Sequence, residues 1–300
     1  MPNFLIIGAA KSGTSALWRY LGEHPDIFMS KKKEPHFFAY ENMEPAASGI
    51  GDFTKYAKTD LTSYQALFDE VTTEKIIGEA ATTSLYLPQS VERIQHYIPQ
   101  AKFVAILRQP ADRAYSAFMH LVRDHREPVT DFQKALKLEQ ERIQQNWGFM
   151  WHYTNMGFYY EQIKRFYDRF DQSQIRIYLY DELNANPLMV FQDVFRFLEV
   201  DDQFVPSMRA QANMSGTQKS QTAQHFITTL FDRPNPIRFF ARRILPEHRR
   251  WLFTTWIRNK NLQRKQLSLP YRQKLTAEIF QDDILKLQDL IDKDLSHWFK

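Results

Sequence analysis

The chain has 300 residues, of which 43% are apolar and 25% charged, and its formal net charge is +4; these are the proportions of an ordinary soluble globular protein, long enough to bury a substantial core. It has no cysteine, which excludes disulfides, thiolate nucleophiles and cysteine-ligated metals. No apolar run approaches the roughly 18 residues of a membrane span, and the first residues lack the flanks of a secretion signal, so a cytoplasmic protein is expected.

Short apolar runs alternate with helical patterns, which predicts an α/β fold: one domain over residues 1–300, with a central, mainly parallel sheet flanked by helices and a helical C-terminal part. The first strand, Asn3–Ile7, runs into Gly8-Ala-Ala-Lys11-Ser12-Gly13-Thr14-Ser15, and an amphipathic helix follows over Ser15–Glu23. A strand, a tight loop and a helix start in that order form an anion cradle, because the first turn leaves backbone N–H groups unpaired at the positive end of the helix dipole. Gly13 allows close backbone approach, while Lys11, Ser12, Thr14 and Ser15 add charge and hydroxyls. The lysine precedes the glycine here, unlike the ATP and GTP loop G-x-x-x-x-G-K-[ST], so its charge is aimed at a different part of the ligand.

Next comes Lys31-Lys-Lys33-Glu34-Pro35-His36-Phe37-Phe38, a charge run that by itself reads as a solvated stretch. A loop is expected over 41–58, a helix over Leu61–Phe68, a strand over Ile76–Glu79 and a helix over Ser90–Tyr97. Glu79, at its strand end, reads equally as a polar group of a cleft or as a turn cap. The strand Phe103–Leu107 ends in Arg108-Gln-Pro110-Ala-Asp-Arg113-Ala-Tyr-Ser116. Arg108 therefore leaves the carboxyl end of a strand, where open α/β sheets bind ligands. Ser116 lies one to two turns into the following helix, Pro110–Arg123, so that the guanidinium fork and the hydroxyl form a second anion cradle. Two cradles on one sheet suggest a nucleotide with phosphates at both ends.

Further helices are expected over Phe132–Gln145, Tyr159–Phe170, Pro187–Leu198 and Tyr271–Asp292, with a strand at Ile175–Leu179 and a loop over 201–221. Residues 231–265 hold ten Lys/Arg against two Asp/Glu. This stretch reads either as a solvated helical face or as a contact for an anionic partner such as an acidic carrier protein, a membrane surface or an oligomer partner. No recognised nucleic-acid motif accompanies it, and nucleic acid is not expected as a partner.

Lys11-Ser-Gly13-Thr14-Ser15 resembles the 5′-phosphosulfate loop of sulfotransferases that use 3′-phosphoadenosine 5′-phosphosulfate (PAPS), and Arg108-x-Pro-x-x-Arg-x-x-Ser116 resembles their 3′-phosphate motif. The likeness extends over nearly the whole chain. Gly157-Phe-Tyr159 is similar to a helix entry of that family, Asn213 to Ser220 with Lys219 to its cofactor-covering loop, and Leu287–Trp298 to its C-terminal helix. Lys33-Glu34-Pro-His36-Phe-Phe is similar to the segment carrying the catalytic glutamate in heparan-sulfate-type sulfotransferases and their bacterial relatives, not to the histidine-based phenol and steroid branch.

The resemblance implies a P-loop-like fold, PAPS as co-substrate, adenosine 3′,5′-bisphosphate (PAP) as product, and sulfuryl transfer that requires no metal. It implies Glu34 as general base with His36 in support, and Lys11 stabilising the leaving group. Ser12, Gly13, Thr14, Ser15, Arg108, Ser116 and Lys219 would join Lys11 in holding the nucleotide. Two positions depart from the glycan-modifying relatives: Ala80 stands where they often carry lysine after a Gly-Glu strand end, and Ala39 where an acidic residue follows Phe-Phe. The expected acceptor is accordingly a small molecule or specialised metabolite, with a glycan or a carrier-bound acceptor as the alternative. Rival readings are a P-loop kinase or NTPase, and a non-catalytic nucleotide-binding protein. An acidic strand end of the Walker-B kind would favour the kinase, and the 103–107 strand ends in Arg108 instead.

Overall fold

The strand β1, Phe4–Gly8, is buried along its whole length, as a continuous apolar run at the centre of a parallel sheet must be. In the computed structural model, which describes residues 1–45, 56–207, 217–218, 262–263 and 266–300, four strands join it: β2 (Ile27–Met29), β3 (Ile76–Ala80), β4 (Lys102–Leu107) and β5 (Ile175–Leu179). Their order is β2-β3-β1-β4-β5, and every pairing is parallel. Thr217–Gln218 and Leu262–Gln263 add a separate antiparallel pair. The sheet holds the four predicted strands and one more, β2, and short helices over Phe37–Tyr40, Thr83–Tyr86 and Tyr180–Ala185 are added to the predicted ones. At three residues, β2 is too short to show a periodicity of its own.

Alternation along the strands splits the core in two. Phe4 and Ile6 of β1 pack with Val104 and Ile106 of β4 against Leu17 and Leu21 of the Thr14–Leu21 helix and Phe191 and Val194 of the Pro187–Leu198 helix. Leu5 and Ile7 face the opposite layer, with Phe37, Tyr64, Leu85, Ala114 and Ile163. Helices therefore cover both faces, and among the described residues none is long and apolar enough to cross a membrane.

The Pro110–Arg123 and Pro187–Leu198 helices have the predicted bounds. Three others are broken, the expected Leu61–Phe68 helix into an α-helix over Leu61–Gln65 and a 3-10 turn over Ala66–Phe68. The expected Phe132–Gln145 helix divides at Leu138 into Phe132–Lys137 and Glu139–Gln144. The long C-terminal helix becomes Leu269–Leu275, a π-helical turn over Thr276–Phe280, and Gln281–Ile291. At that break the Thr276 hydroxyl donates to the carbonyl of Arg272 at 2.8 Å and accepts the Gln109 amide at 2.6 Å, a local polar competition that widens a helix turn. Leu287–Trp298 is likewise not one helix. Asp292 turns the chain with φ 51°, and a 3-10 turn follows over Ser296–Phe299.

The C-terminal part braces the strand end at Arg108. Gln109 caps the Pro110–Arg123 helix by accepting the Asp112 N–H at 2.7 Å and donates to the carbonyl of Trp298 at 3.3 Å. Asp283 accepts the N–H of Tyr159 at 2.7 Å, which seats the Tyr159–Tyr167 helix so that the Tyr159 hydroxyl donates to the Arg108 carbonyl at 3.0 Å. Lys219, and residues 231–261 and 264–265 of the basic stretch, lie outside the described residues.

Candidate active site

The chain leaves β1 for the β2–β3 side of the sheet and later crosses to β4 and β5 on the other side, so β1 sits at the switch point where open α/β sheets bind ligands beyond their strand ends. The loop after β1 is tied to its neighbour, with Ala9 N–H donating to Ile106 O at 2.9 Å, and Arg108 Nη1 donating to the carbonyl of Lys11 at 3.2 Å. The two cradles named from sequence are thus joined. Arg108 also lies 4.7 Å above the ring of Tyr180, which follows β5, a cation–π seat that holds the guanidinium flat.

Gly13 opens the Thr14–Leu21 helix with φ 95°. A Cβ there would lie 2.8 Å from Leu183 Cδ2, so both the backbone angle and the close approach require glycine. The N–H groups of Gly13, Thr14 and Ser15 belong to the first turn, which gives them no intrahelical acceptor. Ser12 differs from the rest of the loop. Its side chain is fully buried, its hydroxyl has no hydrogen bond of standard geometry, and its own N–H is committed to Ala9 O at 3.3 Å.

Lys11 is partly buried and adopts φ 67°. Burial first, then the positive charges of Arg123, Arg108 and Lys33, push its pKa down to about 7, against a pull upward from Asp124. Sequence reading missed this cationic surround. Ser116, His120 and Arg123 occupy successive turns of the Pro110–Arg123 helix, and their i, i+4, i+7 spacing puts them on one face. Burial and the Lys11 charge hold His120 well below the usual imidazole range. Ser116 itself is buried on that helix.

Glu34 reaches the same sheet edge from the opposite side of β1. Its N–H donates to Ala80 O at the end of β3 at 2.8 Å. Its Oε2 accepts the Thr82 N–H at 2.7 Å and the Thr82 hydroxyl at 3.2 Å, and its Oε1 lies 2.5 Å from Lys33 Nζ. Burial pushes this carboxyl up, but the Lys33 charge, His36 and the Thr82 N–H together outweigh it and hold the pKa below the ordinary glutamate value. His36 Nδ1 is 2.9 Å from Thr83 Oγ1 and 3.7 Å from Glu34 Oε2, and its ring stands edge-on to Phe149 with centroids 5.6 Å apart. Glu34 and His36 both have φ 58°, a left-handed conformation costing about 1–3 kcal/mol each for such residues.

Glu79 does not cap a turn. It is fully buried in β3, and neither carboxyl oxygen has a hydrogen bond of standard geometry. Burial, reinforced by the Glu34 charge and only partly offset by the Tyr64 hydroxyl, raises its pKa to about 8, so it is mostly neutral at pH 7. Ala39 and Ala80, the two departures noted in the sequence, are buried.

A family model described as the sulfotransferase domain matches residues 1–242. The crystal structure of a sulfotransferase from Alicyclobacillus acidocaldarius is similar over 100% of this chain and 99% of its own, at 34% identity and a TM-score of 0.77. The bifunctional heparan sulfate N-deacetylase/N-sulfotransferase 1 of Xenopus laevis is 28% identical over 204 residues, which is 66% of this chain and 22% of that protein. The corresponding enzyme 3 of Homo sapiens is 26% identical over 208 residues, 67% of this chain and 22% of its own length. The chain thus spans about a fifth of the length of these curated relatives.

Proposed function

The chain belongs to the sulfotransferase family, and from that premise we propose that it transfers the sulfuryl group of PAPS to a hydroxyl or amine of a small-molecule acceptor. The observation that carries the proposal is the meeting of three strand ends: the Lys11 loop after β1, Arg108 after β4, bonded to that loop, and an ionised Glu34 over the end of β3.

In this reading the loop holds the 5′-phosphosulfate, with the N–H groups of Gly13, Thr14 and Ser15 on non-bridging oxygens. Arg108 and Ser116 hold the 3′-phosphate and so fix the register of the nucleotide against the sheet. Lys219 is proposed to cover the nucleotide from the segment after residue 207. The anionic donor favours the charged form of Lys11 and so restores the ammonium that the free site suppresses. Glu34 Oε1 takes the acceptor proton as the acceptor atom bonds to sulfur. The bond from sulfur to the bridging oxygen breaks in line, and the Lys11 ammonium stabilises the charge arriving on that oxygen. His36, bonded to Thr83 and sealed from solvent, orients the Glu34 carboxylate without meeting the acceptor.

The two curated relatives are heparan sulfate N-deacetylase/N-sulfotransferases. A small acceptor is favoured here because Ala39 and Ala80 offer no charged group where glycan-modifying relatives often carry one. Calorimetry with PAP and with ATP·Mg tests the donor: PAP should bind and ATP·Mg should bind weakly, and the reverse order refutes the proposal. For the base, Glu34→Gln should keep PAP affinity while turnover with PAPS drops by about 10² or more. Unchanged turnover would remove Glu34 from that role.

A further inference from the structure

Three consecutive lysines precede Glu34, and they behave differently. Lys31 pairs with Glu70 on the surface, and its side chain is 67% exposed. Lys32 donates to the backbone carbonyl of Tyr56. Lys33 turns inward, 20% exposed, with its ammonium on Glu34 Oε1. The chain bends through Lys31–Lys33 and is left-handed at Glu34, so these side chains do not follow the alternation of a strand.

The contacts divide the carboxylate into two unlike oxygens. Oε2 is fixed by the N–H and hydroxyl of Thr82, with His36 Nδ1 3.7 Å away. Among the described residues, Oε1 is bonded to Lys33 alone, a compact charge on a flexible stem. Oε1 is therefore the oxygen free to exchange a partner for an acceptor hydroxyl. The other ionisable group facing this carboxylate is Glu79 from β3, a like charge whenever it ionises. Lys33 is also among the cations whose field reaches Lys11.

We propose that Lys33 is a positioning residue for the transfer: it holds Glu34 Oε1 ionised and aimed, and becomes an unpaired cation once that oxygen takes the acceptor proton. The inference rests on Glu34 as the base. In the step, the acceptor O–H bond breaks as its proton passes to Oε1, the acceptor oxygen bonds to sulfur, and the sulfur–bridging-oxygen bond gives its electron pair to departing PAP. Protonation cancels the Glu34 charge while negative charge builds on the leaving phosphate. The Lys33 ammonium loses its counter-ion at that moment, and its field at the Lys11 loop then favours the departing charge. An exposed neighbouring ion pair would contribute little in either role, which makes the inward turn of Lys33 the informative feature.

The test combines a titration with kinetics. In the protein·PAP complex, the Glu34 carboxyl is followed by carbon-13 NMR, its signal assigned by loss in Glu34→Gln. Lys33→Met should raise its midpoint by about one pH unit, a tenfold gain in proton affinity, and Lys33→Arg should restore it. At about pH 8, where Glu34 is ionised in wild type, Lys33→Met and Lys33→Arg, Lys33→Met should lower kcat about tenfold or more while the KM for PAPS does not rise, since losing a cation near Lys11 can only favour its charged form, read as PAP release with phenol or water as acceptor. A fixed midpoint in Lys33→Met, or an unchanged kcat at that pH, overturns the proposal. Failure of the base assignment is read separately, as unchanged turnover in Glu34→Gln, so the two can be told apart.

Discussion

Raising the pH from 7 to 9 should weaken PAP binding to this protein by about fifty-fold, because only the ammonium form of Lys11 attracts the 5′-phosphate. With a free-site pKa of about 7, half of Lys11 is charged at pH 7 and about 1% at pH 9. Bound PAP returns the lysine towards its ordinary value of about 10.4, so the lost fraction appears directly in the dissociation constant and corresponds to about 2 kcal/mol. Starting at pH 7 keeps the Glu34 carboxyl, held below its ordinary value, from titrating in the window. Glu79, with a pKa of about 8, does titrate there, and its charge acts in the same direction. Lys11→Arg separates the two, since arginine stays charged throughout, and any slope left in that variant belongs to Glu79. Calorimetry at pH 7, 8 and 9 is the assay. A wild-type constant that is flat over this range, or a Lys11→Arg slope equal to that of wild type, would refute the reasoning.

Arg108→Ala should weaken PAP by a factor of about 30 or more, the loss expected when a partner of a bound charge is removed, while AMP, which lacks the 3′-phosphate, binds variant and wild type alike. Equal losses for both ligands would mean that Arg108 only braces the Lys11 loop. Glu79→Gln should stabilise the protein at alkaline pH. The folded carboxyl, at about 8, holds its proton well above the unfolded value of about 4.5, so wild-type stability falls as pH rises from there to 8, by up to about 5 kcal/mol. The glutamine keeps the shape without the charge. Melting temperatures at pH 5, 6.5 and 8 should show a gap in favour of the variant that widens with pH, and a constant gap would show that Glu79 is not a buried neutral acid.

The proposed donor side is legible in the sequence because each of its parts is contiguous. The Lys11 loop and the Arg108 motif each follow an apolar run whose period and ending reveal a strand end, and the parallel β1–β4 pairing then joins them. The acceptor side was less legible. Glu34 was found through its Pro-His-Phe-Phe context, but its fixed partner Thr82 lies 48 positions away, across a pairing of β3 that no local pattern announces. His120 and Arg123 carried a usable signal, since they repeat the helical spacing from Ser116, whereas nothing in Lys31-Lys-Lys33 tells which lysine turns inward. Glu79 was ambiguous because a carboxylate inside a buried strand breaks the alternation rule by itself. Its burial had to be seen before it could be distinguished from a turn cap.

The local rules break together along one edge of the sheet. Left-handed backbone at His125, Asn146, Glu199 and Asp292 occurs just past the ends of helices, where such residues stop the helix at low cost. Lys11, Glu34 and His36 stop no helix, so their strain is held in place by the packing of two loops over the ends of β1 and β3. The suppressed charge of Lys11 and the buried carboxyl of Glu79 lie at the same edge. These costs fall on two sides of β1: the proposed donor contacts come from β1 and β4, and the Glu34–Thr82–His36 group from the β3 side. On the proposed reading, the β3 side can change its acceptor by replacing side chains around Glu34 while the Lys11–Arg108 pair stays intact. Ala39 and Ala80 would be changes of that kind, since both stand on the β3 side and neither belongs to the donor contacts.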